Sequence, residues 1–395
     1  MVEILRELFQ GVTYFGTIPG LKTLAMFVIA GILIYLAIAK DYEPALLLPI
    51  GFGAILANLP PVIDNFAAVI GSPNEPGFLR ILFDAGIATE LFPILIFIAI
   101  GAMIDFTPLL KNPFMIFFGA AAQLGIFVTF IGTLILLPYI GITGEYALRL
   151  ASAVGIIGAA DGPTTLYVAN HFNLKEYIGP ISVAAYSYMS LVPIIQPPVI
   201  KALTTKEERR IRMDYHEDQL SRPVKIIFPI AITIIAGILV PMSAPLVGSL
   251  MFGNLIRECG VLEKLSKASQ NELASLVTIL LGITIGSTMV GDKFLRLDTA
   301  LIMLLGLFAF IFDTAGGVLF AKFLNLFLKR KVNPMIGAAG ISAFPMSARV
   351  VQKMAKEEDP SNFILMQAIS ANVAGQLGSI VAGGLVIMLV TMMIR

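Results

Sequence analysis

Apolar stretches fill most of the chain, and short polar, glycine-rich or proline-containing segments separate them. A helix needs about 20 apolar residues to cross a bilayer. On that basis we predict membrane elements at residues 21–39, 43–59, 87–104, 113–137, 146–170, 178–200, 224–242, 246–255, 273–290, 297–328, 333–351 and 361–393. Several are short or interrupted, so the prediction is an all-α polytopic membrane protein with roughly ten to twelve membrane elements, some of them re-entrant.

The longest polar segment lies at residues 201–222 and carries six Lys or Arg residues, and a second basic cluster lies at residues 329–331. Positively charged loops stay on the cytoplasmic side, so we expect both segments there. The chain then divides into an amphipathic N-terminal segment at 1–20, a first membrane half at 21–200, a polar cytoplasmic connector at 201–222 and a second membrane half at 223–395. We interpret the connector as a solvated link, with docking of a soluble partner as the alternative.

Composition supports the membrane interpretation, because 57% of the residues are hydrophobic, 13% are charged and the mean hydropathy is +0.88. A typical soluble domain carries about 25% charged residues. The net charge of +1 gives no reason to expect a nucleic-acid partner. A single cysteine excludes an internal disulfide, and the phosphate-binding and hydrolase motifs of soluble enzymes do not occur in the sequence.

Asp161 is a single carboxylate in the middle of an apolar stretch, and Gly162 and Pro163 follow it directly. A carboxylate in hydrocarbon is costly and marks an ion or proton path. Pro163 has no amide hydrogen and pushes Gly162 out of the helical region, so the helix should break here and leave carbonyl groups unpaired. Transporters build cation sites from unwound backbone beside a carboxylate. The alternative is a structural carboxylate that caps a helix or pairs with an arginine.

Two short sequence matches occur at one offset of 185 residues, IAIG at 98–101 with ITIG at 283–286 and AVGI at 153–156 with AAGI at 338–341. Matches at one offset indicate an internal duplication. The offset places the break at Asp161 opposite the segment 342–349, which contains Pro345, and places Ser187 opposite Asn372. Polar positions of the two halves are therefore expected to converge on a site between them.

Other polar residues in or beside the apolar stretches extend the candidate site. Asn333 precedes a proline and is either a helix cap or an ion ligand. Asn372 needs partners in hydrocarbon, which a neighbouring helix or a cation would supply. Arg349 is expected either to neutralise Asp161 or to bind an anionic carboxylate. Asp105 is expected to be a carboxylate at a helix end, and Asp313 is a second intramembrane carboxylate and the runner-up ion residue. Tyr186 and Tyr188 are either packed rings or proton carriers.

Longer sequence words are more specific than these single residues. They are GAMIDFTPLL at 101–110, GAADGPT at 158–164, AAYSYMSLVPIIQPP at 184–198, NPMIGAAGISAFPMSAR at 333–349 and ANVAGQ at 371–376. Together they resemble the β subunit of the sodium-ion-translocating biotin-dependent decarboxylases. The words cover most of the chain from about residue 90 to the C-terminus, so the resemblance is specific, and the N-terminal 40 residues add little to it.

The resemblance implies a fold of two inverted-topology repeats that work by an elevator-like movement. Such a subunit is a carboxybiotin decarboxylase of the translocase class. It receives carboxybiotin from a biotin carrier subunit, decarboxylates it, exports Na⁺ and takes up a proton. A carboxyltransferase subunit and a small membrane subunit complete an oligomeric assembly in the inner (cytoplasmic) membrane.

The resemblance also implies roles for individual residues. Sodium-binding positions of the family fall on Asp161, Asn333, Asn372, Gly337 and Ser342. Catalytic positions fall on Arg349, Tyr188 and Ser342, with Tyr186 as the alternative tyrosine. Arg349 is expected to attract the carboxylate of carboxybiotin and so to be the cofactor-binding residue. Sodium is expected to keep Asp161 ionised, and a proton is expected to enter through Tyr188 and Ser342 after sodium leaves outward.

Two other functions compete with this one. A sodium-coupled secondary transporter of a small carboxylate would share the duplicated architecture, but it would work without a biotin carrier. A structural membrane anchor for a soluble enzyme would need no polar residues at membrane depth. Because the carboxyltransferase partner chooses the acid, oxaloacetate, methylmalonyl-CoA, glutaconyl-CoA and malonate all remain open as substrates of the complex.

Overall fold

The computed structural model describes residues 10–60, 70–71, 77–213 and 220–395, and the regular structure within these ranges is helical throughout. The α-helices are Gln10–Tyr14, Ile18–Lys40, Pro44–Ala57, Phe78–Leu82, Leu91–Met103, Thr107–Lys111, Ile116–Ala122, Leu124–Leu136, Gly144–Ile157, Gly162–His171, Ile178–Ser190, Val192–Leu203, Lys206–Arg209, Arg222–Leu239, Ala244–Glu258, Glu263–Ala268, Ala274–Ser287, Gly291–Phe294, Leu297–Leu324, Met335–Ala338, Met346–Glu358 and Leu365–Ile394. Three 3₁₀ helices, Pro113–Met115, Leu137–Ile140 and Pro241–Ser243, and two π-helical segments, Phe83–Ala88 and Ser269–Leu273, adjoin them. Of the predicted amphipathic segment, residues 1–9 lie outside the described ranges.

Six helices in the described ranges are long and apolar enough to cross a membrane. They are Ile18–Lys40, Pro113–Ile140, Arg222–Leu239, Glu263–Ser287, Leu297–Leu324 and Leu365–Ile394. Two helix pairs pass the same test when taken together but bend, Phe78–Ala88 with Leu91–Met103 by 60° and Ile178–Ser190 with Val192–Leu203 by 69°. The protein is therefore an all-α polytopic membrane protein, as the apolar pattern predicts.

The element predicted at residues 178–200 is not one straight span. The helix Ile178–Ser190 ends at Ser190, and the helix Val192–Leu203 starts in a new direction with Pro193 in its first turn. A proline is tolerated in a first turn because its missing amide hydrogen has no helical partner there. The same proline inside a continuous helix would remove a hydrogen bond, which explains the bend.

The element predicted at residues 333–351 is not a continuous helix either. The short helix Met335–Ala338 is followed by irregular backbone, and Met346–Glu358 begins directly after Pro345. The irregular part is buried in the protein rather than exposed to lipid. Non-helical backbone at membrane depth is tolerated only in such a place, or where it lines a cavity.

Two helix crossings depend on glycines that let backbones touch. The crossings join Pro44–Ala57 to Ala274–Ser287 and Ala244–Glu258 to Leu91–Met103. A side chain at Gly53 would collide with the Ile283 carbonyl, and a side chain at Gly253 would collide with the Ile98 carbonyl. Since Ile98 and Ile283 are related by the offset of 185, each half packs a glycine-bearing helix on the other half in the same way. This match supports the duplication, and the inverted orientation of the repeats stays a prediction.

Each half contains an interruption near the packed centre. We call residues 158–161 the first break and residues 339–345 the second break. The helices Gly144–Ile157 and Gly162–His171 flank the first break, as predicted from Asp161 and Pro163. The long helix Leu365–Ile394 packs against the helices beside both breaks. It therefore brings its own side chains to the place where the two breaks meet.

Part of the connector is held firmly by the second half of the chain. Arg209 is buried, and its Nη2 atom lies 2.6 Å from Oε1 of Glu358. Hydrogen bonding from Arg209 lowers the pKa of the Glu358 carboxyl. The amide nitrogen of Asn362 also donates to the Arg209 carbonyl at 3.2 Å. Residues next to Arg209 are therefore clamped rather than freely solvated, and the division into two halves and a connector stays a prediction.

Candidate functional site

Asp161 begins the helix Gly162–His171 and caps it. Its Oδ1 accepts a hydrogen bond from the backbone N–H of Thr164 at 3.1 Å, and its Oδ2 accepts one from the Thr164 hydroxyl at 2.7 Å. Pro163 occupies the first turn, where the helix needs no amide donor. The capping alternative is therefore observed, and the carboxylate still has room for further partners because each oxygen has two lone pairs.

Those further partners come from the long helix Leu365–Ile394. The Ser379 hydroxyl donates to Oδ2 of Asp161 at 2.6 Å, and the Gln376 amide nitrogen faces the same oxygen at 3.4 Å. Asp161 is 2% exposed. In the described part of the chain its hydrogen-bond donors are all neutral, so the arginine-paired alternative is not what the structure shows. A buried carboxylate held in this way lacks a compensating positive charge.

Hydrogen bonds join the two breaks to each other and to the long helix. The backbone N–H of Ser342 donates to the Ala159 carbonyl at 2.9 Å, and the Ser342 hydroxyl donates to the Gly375 carbonyl at 3.0 Å. The Asn372 amide nitrogen donates to the Ile341 carbonyl at 2.6 Å. Asn372 Oδ1 is buried and has no hydrogen-bond partner in the described ranges. Such an oxygen is costly unless a ligand satisfies it.

A cavity of about 220 Å³ reaches Asp161 from one side. Its polar lining includes Tyr186, Ser342 and Gln376, and apolar side chains of Leu91–Met103 and Ala274–Ser287 form the opposite wall. The Tyr186 ring packs on Gly162, where any side chain would collide with it. The Tyr186 hydroxyl is buried and, among the described residues, has no hydrogen-bond partner. The cavity is therefore a small space beside a carboxylate, and one residue of its wall, Tyr186, has a hydroxyl without a partner in the described chain.

The remaining predicted site residues lie in other places. The Tyr188 hydroxyl donates to the Met303 carbonyl, so its hydrogen-bonding proton already has a partner. The Asn333 amide nitrogen donates to the Arg209 and Ile211 carbonyls at 2.9 Å each, and its oxygen accepts from Met335 N at 3.1 Å. Asn333 thus combines a helix cap with a clamp on the connector.

Gly337 and Arg349 do not line the Asp161 cavity either. Gly337 contacts the backbone of Gly317, and a side chain on either glycine would collide with the carbonyl of the other. Arg349 is exposed and lines a second cavity of about 450 Å³ together with Lys353 and Lys356. The structure therefore brings together Asp161, Ser342 and Asn372, but not Asn333, Gly337, Tyr188 or Arg349.

The chain is similar in sequence to known proteins of one family. A family model described as the Na⁺-transporting oxaloacetate decarboxylase beta subunit matches residues 22–390. The chain belongs to this family. The methylmalonyl-CoA decarboxylase subunit beta of Propionigenium modestum is 42% identical over 98% of this chain and 100% of its own length. The oxaloacetate decarboxylase beta chain of Haemophilus ducreyi is 42% identical over 100% of both chains.

A third relative, the glutaconyl-CoA decarboxylase subunit beta of Acidaminococcus fermentans, is 47% identical over 92% of each chain. The resemblance inferred from the sequence words is thereby confirmed. The chain is a multi-pass membrane protein of a family of Na⁺-transporting decarboxylase β subunits. The relatives carry the names of three different decarboxylases, so the similarity does not select one acid for this β subunit.

Three residues donate hydrogen bonds to Asp161 but were not among the candidates from the sequence: Thr164, Gln376 and Ser379. A signal for two of them was present, because Asn372, Gln376 and Ser379 stand four and seven residues apart in an apolar helix. That spacing places their side chains on one helix face. Thr164 carried a weaker signal, as the third residue after a capping aspartate.

The two other carboxylates considered as candidates differ from each other. Asp105 accepts from the Thr107 N–H at 2.8 Å and is the helix-end carboxylate that was predicted. Asp313 is fully buried in Leu297–Leu324, and its carboxylate faces the backbone of Gly125 and Ile126. It lies outside the lining of the Asp161 cavity of this β subunit.

Proposed function

We propose that this chain decarboxylates carboxybiotin delivered by a biotin carrier subunit and couples the reaction to Na⁺ export and to uptake of a proton. Asp161 is the sodium-binding carboxylate. One observation carries the proposal: Asp161 is 2% exposed, its described partners are neutral donors, and it lies beside a cavity where both breaks meet. A buried carboxylate without a positive partner is suited to exchanging a bound cation for a proton.

Oxygen atoms around Asp161 supply the ligands that a hard cation prefers. The Asp161 carboxylate provides the charge. Asn372 Oδ1 and the Tyr186 hydroxyl are buried and unpartnered in the described chain, so they support a site for a ligand that accepts their lone pairs. Ser342 lines the same cavity and links the two breaks. Asn333 and Gly337 support the site from a distance, through the connector clamp and the backbone contact with Gly317.

Three basic residues and one acidic residue, Glu357, line the second cavity, so its net positive charge suits the anionic end of carboxybiotin. Arg349, Lys353 and Lys356 stand four and seven residues apart on Met346–Glu358, so they share one helix face and line the same cavity. A planar carboxylate is bound well by the two parallel N–H groups of a guanidinium. Carboxybiotin bound there supplies the carboxyl group whose loss as CO₂ drives transport. The carboxyltransferase and small membrane subunits, and an inner-membrane location, belong to the same proposal.

Tyr186, not Tyr188, is the tyrosine in position to move a proton, because Tyr186 lines the Asp161 cavity and the Tyr188 hydroxyl donates to the Met303 carbonyl. We expect Tyr186→Phe to lower the decarboxylation rate about 100-fold, the lower range for losing a positioned proton carrier. Tyr188→Phe should leave the rate within a few-fold and lower stability by about 1 kcal/mol, for one lost hydrogen bond. Both variants are assayed for rate and thermal midpoint.

The opposite pattern would return the catalytic role to Tyr188, as the family resemblance implies. That pattern is a large rate loss in Tyr188→Phe at unchanged thermal midpoint, with Tyr186→Phe nearly as active as the natural protein. The pair is a matched control, since the two tyrosines are two residues apart on one helix and each variant removes one hydroxyl.

The function itself is tested by CO₂ release from carboxybiotin on a biotinylated carrier, with and without Na⁺. Release that requires Na⁺ supports the proposal. Release that is indifferent to Na⁺ would keep the decarboxylase activity and remove the sodium site. Absence of release, together with Na⁺-driven uptake of a small carboxylate into vesicles, would establish the secondary transporter instead.

A further inference from the structure

The Asp161 cavity has a second carboxylate in its wall, Glu43. Glu43 is half-buried at the start of Pro44–Ala57, and its φ of 39° is in the left-handed region. Non-glycine residues are uncommon in that region and concentrate at functional sites. The Glu43 side chain makes no capping hydrogen bond to its helix. Glu43 therefore places a carboxylate in the cavity wall that is not used as a helix cap.

Arg349 is the positive charge that acts on Glu43. Glu43 and Met346 line the same cavity, and Arg349 stands three residues after Met346 on the helix Met346–Glu358, one turn further along. Besides burial, the charges that act on the Glu43 carboxylate are those of Arg349 and then of Asp41, which has the same sign as Glu43. Arg349 itself faces the neighbouring cavity with Lys353 and Lys356. One guanidinium thus stands between the wall of the Asp161 cavity and the cavity that fits a carboxylated ligand.

Both features lie on the predicted cytoplasmic side. The helix that carries Arg349 ends at Glu358, which is paired with Arg209 of the basic connector. Basic connectors stay in the cytoplasm. Glu43 therefore marks the cytoplasmic end of the cavity, and Asp161 marks its buried end. The cavity wall also holds Tyr186, whose buried hydroxyl lacks a hydrogen-bond partner in the described chain.

We propose that Glu43 is the entry residue for sodium on the cytoplasmic side, and that Arg349 makes this entry depend on the bound carboxyl group. The inference rests on the proposed function. Without an anion on Arg349, its positive charge offsets the attraction of Glu43 for a cation. When a carboxylate binds to Arg349, the guanidinium is neutralised and Glu43 attracts Na⁺ at full strength. By reciprocity, sodium near Glu43 strengthens binding of the carboxylate.

This arrangement orders the two events. Sodium enters the cavity readily only when the carboxyl group that drives the cycle is in place. A transporter that loads its ion without its driving substrate would move sodium without decarboxylation. Glu43 is thus a positioning and specificity residue for the sodium step, distinct from Asp161, which holds the ion at the buried end.

The test uses the complete decarboxylase complex in proteoliposomes. The decarboxylation rate is measured as a function of Na⁺ concentration, once at a low and once at a saturating concentration of carboxylated carrier. Choline chloride keeps the ionic strength constant. For the natural protein, the half-saturating Na⁺ concentration should fall as the carrier concentration rises. Glu43→Gln should raise that concentration about tenfold, within the usual range of coupling between sites, and should remove its dependence on the carrier. The effect on the maximal rate should be smaller.

Asp41→Asn is the matched control, because Asp41 is an exposed carboxylate two residues away that also acts on Glu43 but does not line the cavity. Because Asp41 only acts on Glu43 through space, Asp41→Asn should shift the half-saturating Na⁺ by about twofold or less, against about tenfold for Glu43→Gln. Glu43→Asp keeps the charge and should stay close to the natural protein, which separates loss of charge from a folding defect. An unchanged Na⁺ dependence in Glu43→Gln, or an equal shift in Asp41→Asn, overturns the inference. If instead the natural complex is indifferent to Na⁺, the proposed function fails first and the inference fails with it.

Discussion

Asp161→Asn is expected to abolish sodium-dependent decarboxylation, lowering its rate about 100-fold or more. Residues that only support a metal ligand already change metal affinity by about 10–100-fold, and Asp161 is proposed to be a ligand itself. Asparagine has nearly the shape of aspartate, and its oxygen is still able to cap the helix by accepting from Thr164 N. The charge that attracts sodium is gone. The hydroxyl of Ser379 and the amide of Gln376 are neutral and cannot replace it.

The measurement is the decarboxylation rate of the purified complex against Na⁺ concentration, together with its thermal midpoint. Asp105→Asn is the control, because Asp105 is another carboxylate at a helix end that accepts a backbone N–H and does not line the cavity. It should keep the natural Na⁺ dependence. Full sodium-dependent activity in Asp161→Asn would show that sodium binds elsewhere, and Asp313, a second fully buried carboxylate, would be the next residue to change.

Gly337→Ala is expected to destabilise the protein rather than to weaken sodium binding alone. The methyl group would collide with the Gly317 carbonyl, which is backbone and has no rotamer to adopt. Forcing extra volume into a packed contact costs about 1–3 kcal/mol and sometimes more. A lowered thermal midpoint and a poor yield of folded protein should therefore accompany any loss of activity.

Gly31→Ala and Gly132→Ala are the controls for this substitution. Both glycines are in membrane helices, and a methyl group at either position would meet no atom within 4 Å. Alanine is favoured over glycine in a helix by about 1 kcal/mol, so these variants should be at least as stable as the natural protein. A Gly337→Ala protein of natural stability whose half-saturating Na⁺ rises would instead support the direct role in sodium binding that the family resemblance implies.

The centre of the site could be predicted because its signals are local. A carboxylate followed by Gly162 and Pro163 in an apolar stretch requires a break and a charge at one place. The side chains that hold Asp161 come from a helix more than two hundred residues later in the chain. The spacing of these side chains predicts that they share one face of that helix. Which residue this face contacts depends on how the helices pack.

Tyr186 and Tyr188 show where sequence reasoning ends. They stand two residues apart on one helix, so they point to different sides, and the ring that enters the cavity is decided by its contact with Gly162. Asn333 is a second example. A cap was predicted and is observed, but its amide nitrogen binds a connector whose path the sequence does not reveal. Long-range packing sets both outcomes, and neither residue type nor spacing encodes it.

The hydrogen bonds between the breaks limit how the protein is able to move. Three hydrogen bonds link three separate segments: Ser342 N–H to the Ala159 carbonyl, the Ser342 hydroxyl to the Gly375 carbonyl, and the Asn372 amide to the Ile341 carbonyl. A hinge that opened between the breaks would expose all these groups in a medium with no water to satisfy them. Any motion that turns Asp161 from one face of the membrane to the other has to carry both breaks and the long helix together.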